Sequence, residues 1–224
     1  MAALPSPTPQ TRMWHLPHAE AVVAVAEILV GLPRIIVRRT VYRAMLEIFL
    51  HPLSGATPEP LRYLGSLAGG RYTPRGGPAG LYASFDPATP IAELRAVVFT
   101  EGVPTATADH MPIVSLAVHC DVRRILDVTA DDICAPLDLH PADLAADWQS
   151  EQEVYLRGEG PMPATQLLAL AAHETAIFAG ITYPSARTDF GTNLVIFPDR
   201  LNGPEGDRLE VIDPSGRYSQ RLPV

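Results

Sequence analysis

The stretch HAEAVVAVAEILVGLP, residues 18–33, is apolar nearly all round and ends on Gly31 and Pro33, a pattern that predicts a buried helix. RIIVRRTVYRAM, residues 34–45, is rich in β-branched side chains and predicts a strand that delivers Tyr42 and Arg43 near its end. In GLYAS, residues 80–84, a period of two sets Leu81 and Ala83 on one side and Tyr82 and Ser84 on the other. DPATPIAELRAVVF, residues 86–99, returns to helical spacing. There Ile91, Leu94 and Val98 form an apolar stripe, Asp86 or Thr89 is placed to cap it, and Glu93 falls over Ala96 and Val97 at the margin of the buried face.

PIVSLAVHCDV, residues 112–122, reads as a buried strand, and PATQLLALAAHETAIFAG, residues 163–180, as a buried helix opening after Pro163. TNLVIFPD and RLEVIDPSG are further strands joined by the turn RLNGPEG. Gly55 to Gly80 is punctuated throughout by glycine and proline and reads as loop, while prolines 5, 7, 9 and 17 mark a flexible N-terminal arm. Helices and strands are mixed without regular alternation, so the fold class expected is α+β rather than a doubly wound sheet.

At 224 residues the chain is long enough for one large domain, or a domain plus an arm. The net charge of -8 argues against a nucleic-acid binder, for which phosphate neutralisation is the main sequence-independent attraction. All 17 basic residues are arginine, which removes a Schiff-base lysine and a phosphate-binding Walker A loop; genomic base composition is the simplest source of the bias. Cys120 and Cys134 stand apart from any CxxC pair or Cys/His cluster, so no metal site is expected and the thiols read as reduced and buried. The N-terminus lacks the plan of a secretory signal, and the apolar segments are interrupted by Glu27, Arg34 and Glu174, so neither export nor a membrane span is expected and the placement is cytoplasmic. Nine carboxylates lie between Asp127 and Glu159 against the single Arg157, which reads as a solvated acidic surface.

The common catalytic templates fail: HETAI is not HExxH, GxSxG is absent, and GGPAG lacks the spacing of a dinucleotide fingerprint. His173 beside Glu174 reads as a hydrogen-bonded core histidine before it reads as an acid or base. The stretch GGRYTPRGGPAGLYAS holds more chemistry. Glycines let a backbone approach a ligand closely, and an arginine among them offers a planar fork suited to phosphate oxygens. Tyr82 adds an aromatic face or a hydroxyl, and Glu93 an acceptor for sugar hydroxyls. A surface turn has the same composition, so the stretch alone leaves both readings open.

The ordered set VYRAM, GGRYTPRGGPAGLYAS, IAEL and GITYPSARTDFGTNLVIFPDR resembles the RES-domain family, toxins of type II toxin–antitoxin pairs, from about Arg38 to Arg200. Tyr72 stands where the family commonly shows tryptophan, and the segment before Arg38 is longer than in a minimal member. The resemblance implies residues 1–35 as an arm and helix, residues 36–224 as a single catalytic domain, and an ADP-ribosyltransferase-like split β-sheet core with flanking helices. It implies NAD as a consumed substrate, with no metal. Arg43 and Arg71 would clamp the pyrophosphate, Tyr82 would pack on the nicotinamide or its ribose, Glu93 and Ser185 would position that ribose, and Asn193 would join the binding set.

Family members divide by acceptor. Some pass ADP-ribose to phosphate or water, as NAD phosphorylases or glycohydrolases; others modify a protein, phosphoribosyl pyrophosphate synthetase among the targets. The long N-terminal segment favours a protein acceptor here. The implied partner is a cognate Xre-type antitoxin that occludes the active site, with no direct contact to nucleic acid or membrane. An inactive antitoxin-binding module is the alternative, and a DNA-binding role suggested by RIIVRR is disfavoured by the acidic balance.

Overall fold

In the computed structural model, residues 13–14, 16–50, 58–61, 69–100 and 112–223 are described, the side chains of 96–100 and 141–142 excepted. Most of the proline-rich arm, parts of the Gly55 to Gly80 loop, and the side chains of Ala96, Val97 and Val98 lie outside the described residues. In chain order the elements are α1 (His18–Val30), β1 (Ile35–Leu46), α2 (Glu47–Leu50), β2 (Leu81–Ser84), α3 (Thr89–Thr100) and β3 (Ile113–Asp127). They continue with α4 (Asp131–Cys134), α5 (Pro141–Ala145), α6 (Trp148–Leu156), α7 (Ala164–Glu174), β4 (Gly180–Pro184), β5 (Thr192–Ile196), β6 (Arg208–Val211) and β7 (Arg221–Leu222).

The strands form one mixed seven-stranded sheet in the order β1-β2-β5-β4-β3-β6-β7, with β1 also paired to β3. That extra pairing returns β3 to β1, so β1, β2, β5, β4 and β3 close on one another. Among the described residues only β3 and β4 run parallel. The fold is α+β, as the non-alternating order of elements predicts.

Period two decides which core each strand residue enters. Leu81 and Ala83 of β2, Leu194 and Ile196 of β5, and Val37, Val41 and Met45 of β1 join a cluster made almost wholly of strand side chains. Tyr82 and Val195 turn to the other side, where they meet a second cluster roofed by α1 and α7. Ala21, Val25 and Leu29 of α1 are buried there with Leu167, Leu168 and Ala171 of α7. Although α1 is apolar nearly all round, Val23 and Val30 stay exposed, because the buried face of Ala21, Val25 and Leu29 packs on α7 and leaves the opposite face uncovered.

β3 changes partner at a bulge. Between Ile35↔Ile125 and Val37↔Val122 it sets three steps against two of β1, and Arg124 takes a φ of 63°. Beyond the bulge β3 pairs with β4, and the Arg124 guanidinium reaches Arg200 O at 2.6 Å and Asp207 Oδ2 at 3.1 Å.

Two segments differ from their sequence reading. GITYP, residues 180–184, is the central strand β4, and its brevity between glycine and proline gave no strand signal. The acidic segment after Asp127 is not merely a solvated surface: it folds into α4, α5 and α6, and Ile133, Cys134, Leu137, Leu139 and Leu144 are buried. Both cysteines are free and buried. His173 packs edge-on to Phe197 and meets Asp199 Oδ2 at 2.7 Å, the hydrogen-bonded setting expected of it.

Candidate active site

One row of paired residues crosses the sheet: Ala117 of β3, Tyr42 of β1, Ser84 of β2, Asn193 of β5 and Tyr183 of β4. Residues paired directly across strands share a face, so Ser84, Asn193 and Tyr183 stand together on the side of Tyr82. Ser84 Oγ donates to Asn193 Oδ1 at 2.6 Å. That bond turns the other end of the side-chain amide outward, and Asn193 Nδ2 donates to Glu93 Oε1 at 2.8 Å.

Ser185, the residue after β4, donates its hydroxyl to the same Glu93 oxygen at 2.7 Å. Its two lone pairs accept from the amides of Arg187 and Thr188 at 3.0 and 3.2 Å. The hydroxyl is thus fully engaged, and its one proton is committed to the carboxylate. Glu93 Oε2 makes no hydrogen bond among the described residues, and no cation pairs with it there.

The helix carrying Glu93 is fixed at its start. Asp86 Oδ1 accepts from the amides of Ala88 and Thr89 at 3.0 and 2.9 Å, and Asp86 Oδ2 accepts from Thr89 Oγ1 at 2.6 Å. Of the two capping residues offered by the sequence, Asp86 therefore does the capping. These bonds, led by that of the Thr89 hydroxyl, hold the Asp86 carboxyl below its ordinary pKa. Thr89 has only one hydroxyl proton, so in its 2.8 Å contact with Thr188 Oγ1 it accepts, and the start of α3 is tied to the loop that bears Ser185.

Three tyrosines form the flank. Tyr72 and Tyr183 lie 4.1 Å apart between ring centroids. The Tyr82 hydroxyl accepts from the Tyr72 amide at 3.0 Å and contacts Thr73 Oγ1 at 2.9 Å. Burial pushes the Tyr82 phenol up to about 12 and raises those of Tyr72 and Tyr183 further, so all three are neutral hydroxyls. Tyr183 feels both the Glu93 carboxylate, which raises its pKa, and the Arg71 guanidinium, which lowers it, so both charges lie near that ring.

Arg71 occupies the tight turn closed by Gly70 N to Thr73 O at 2.7 Å. Gly70 must be glycine, because a Cβ there would lie 2.8 Å from the Tyr82 hydroxyl and 2.6 Å from Thr73 Oγ1. Arg71 Nη1 donates to Leu144 O and Ala146 O at 2.8 and 3.0 Å, covering carbonyls at the end of α5. Its Nε and Nη2, the edge suited to bidentate recognition of an anion, make no hydrogen bond among the described residues.

Arg43 follows Tyr42, so strand alternation sets its side chain on the Val41 and Met45 side of β1; burial lowers its pKa to about 10. The fold therefore brings Glu93, Ser185 and Asn193 into direct contact, puts Tyr82 and Arg71 on their flank, and holds Arg43 across β1. Sequence reasoning gave no role to Ser84, Tyr183 or Thr188. For Ser84 a signal existed, since two residues after Tyr82 in a strand means the same face. Among the described residues no group of His, Cys, Asp and Glu is disposed to hold a metal ion, and no helix is long and apolar enough to cross a membrane.

Fold and site together define an α+β protein with a single carboxylate oriented by a serine and an asparagine. The RES-domain family model matches residues 40–220, and the chain belongs to that family. Among solved structures the fold is similar to that of a chain in the M. tuberculosis MbcT–MbcA toxin–antitoxin complex, with a TM-score of 0.61, 17% identity, and coverage of 88% of this chain and 90% of that one. Comparison with curated proteins yields no match.

Proposed function

We propose that this protein is the toxin of a toxin–antitoxin pair and consumes NAD, transferring ADP-ribose to a protein acceptor. The observation that carries the reading is the state of Glu93. One carboxylate oxygen is fixed by Ser185 and Asn193, and the other makes no hydrogen bond among the described residues. Cleavage of the bond between nicotinamide and ribose C1′ builds positive charge on the ribose, and a preoriented carboxylate stabilises that charge as it develops.

The electron pair of the broken bond leaves with the nicotinamide nitrogen, so the ring departs neutral and needs no acid. The acceptor's nucleophilic atom bonds to C1′ and its proton passes to Glu93 or to water. Ser185 and Asn193 act through Glu93 as positioning residues. Tyr82 and Tyr183 offer neutral aromatic walls for the nicotinamide ribose. Arg71, through its open Nε and Nη2 edge, is the cation proposed to hold the diphosphate directly; Arg43, buried on the Val41 and Met45 side of β1, is proposed to favour it through its positive charge alone. Membership of the RES family and the likeness to a chain of a toxin–antitoxin complex support an antitoxin partner, for which we propose the Xre type, and a cytoplasmic setting.

Purified protein incubated with labelled NAD, with and without phosphate and with a host lysate, tests the reading. Label fixed on one protein band is expected, together with its loss in Glu93→Gln. Free or phosphorylated ADP-ribose without protein label would instead indicate a glycohydrolase or a phosphorylase, and intact NAD in every condition would leave an antitoxin-binding module.

A further inference from the structure

Two peptide groups flank the Cα of Arg71, and each is held by a side chain from elsewhere in the fold. The carbonyl before it, Gly70 O, accepts from Gln166 Nε2 of α7 at 2.9 Å, and the amide after it, Tyr72 N, donates to the Tyr82 hydroxyl of β2 at 3.0 Å. The soft backbone angles of Arg71 lie between those two planes, so the pair fixes the direction in which its side chain leaves the turn. Closing the turn needs neither bond, since Gly70 and Thr73 exchange their own at 2.7 and 3.2 Å.

Gln166 stands in the first turn of α7, 1% exposed, beside the buried Thr165, Leu167 and Leu168. An amide taken out of water there is costly unless its donors find acceptors. Both amide hydrogens do: the second goes to Gln152 Oε1 of α6 at 2.7 Å. Gln152 closes on the same turn, where a Cβ on Gly69, whose φ is 80°, would lie 2.7 Å from Gln152 Oε1. Side chains of α6 and α7 thus clamp the glycine pair that leads into Arg71, while Arg71 Nη1 is engaged by the carbonyls of Leu144 and Ala146. None of these bonds uses Nε or Nη2. A leucine at position 166 would suit an apolar helix without the desolvation cost. What the amide supplies beyond packing is a fixed aim for a cation.

We propose that Gln166 is a positioning residue that aims the Arg71 guanidinium at a diphosphate, acting through the Gly70 carbonyl, with Gln152 holding the Gln166 amide in turn. The proposal deepens the NAD reading and rests on it for the identity of the anion. A guanidinium fixed before the anion arrives loses less freedom on binding, so the gain falls on affinity and not on the rate of bond cleavage.

The test uses the full chain, with ADP as the probe of the anion site and NAD turnover as the second readout. Gln166→Leu nearly keeps the side-chain volume and removes both donors. Its Kd for ADP and its KM for NAD are expected to rise about tenfold, the scale of one lost hydrogen bond, with kcat at the wild-type value. In an Arg71→Ala background the same substitution is expected to change ADP binding no further, because the side chain through which it acts is gone. Gln152→Ala, which leaves α7 intact, is expected to raise the Kd by a smaller factor, and it decides the matter if Gln166→Leu does not fold. Wild-type ADP affinity in Gln166→Leu, or in Gln152→Ala where only that variant folds, would overturn the proposal. An equal loss with and without the Arg71 side chain would overturn it too, by making Gln166 a packing residue. ADP bound by the wild type while NAD stays intact would end the NAD reading and leave the clamp standing, whereas no ADP binding by the wild type would overturn both.

Discussion

Asp207 and Glu93 are both carboxylates fixed by the ends of strands, but the two are held in opposite ways. Asp207 accepts from the amides of Arg123 and Asn202 at 2.8 and 2.9 Å and from the Arg124 guanidinium at 3.1 Å, with its side chain fully buried. Both of its oxygens are used and its charge is paired. Glu93 accepts from two neutral donors on one oxygen, and among the described residues no cation meets it. A carboxylate saturated by backbone and countercharge ties elements together. A carboxylate oriented by neutral groups keeps its charge available for something that arrives.

The contrast breaks most readily at Asp207. Asp207→Ala would strand the Arg124 guanidinium and orphan two amides, and it is expected to destabilise the protein by about 3–5 kcal/mol in denaturant unfolding. A loss near zero would mean that the bulge of β3 holds without it. Glu93→Gln should do the reverse. NAD turnover is expected to fall by about 10²–10³-fold, the scale set by preoriented groups in other active sites, while the unfolding midpoint stays at the wild-type value. A large drop in stability would make Glu93 a structural residue like Asp207.

A smaller effect sharpens the comparison at the helix that presents Glu93. Asp86→Ala removes the cap of α3 and should cost about 1 kcal/mol at neutral pH. The folded-state pKa of Asp86 lies below its ordinary value, so its contribution is complete above the unfolded pKa of about 3.9 and is lost as pH falls through the lower folded value. Unfolding curves of wild type and variant are expected to stay apart at pH 6 and to converge in that acidic window. The smallest effect is expected at Tyr72, whose buried hydroxyl finds no hydrogen-bond partner among the described residues. Tyr72→Phe should therefore raise the melting temperature slightly, by a stabilisation of up to about 1 kcal/mol; a fall would reveal a partner for that hydroxyl.

Legibility in the sequence followed the range of the interaction. α1, β1, α7, β5 and β6 were readable because each repeats its apolar period within its own length. β4 was not, since five residues between a glycine and a proline become a strand only through β3 and β5 on either side. α4 to α6 are too short to display a helical period, so their carboxylates dominated the reading while Leu137 and Leu144 went unseen. The membership of the site came from the resemblance. Its geometry did not, because Ser185 and Asn193 lie 92 and 100 residues from the glutamate they orient. The bond from Arg71 to the end of α5 was likewise invisible, depending on a chain reversal 73 residues away.

The family match begins at residue 40, yet the apolar cluster shared by α7 and β5 is completed by Val25 and Leu29 of α1. The segment that holds the proposed site is thus not the segment that keeps itself dry. A polypeptide trimmed to the matched span would keep Glu93, Ser185 and Asn193 but lose the roof over Leu167 and Leu168, and its fate would be aggregation.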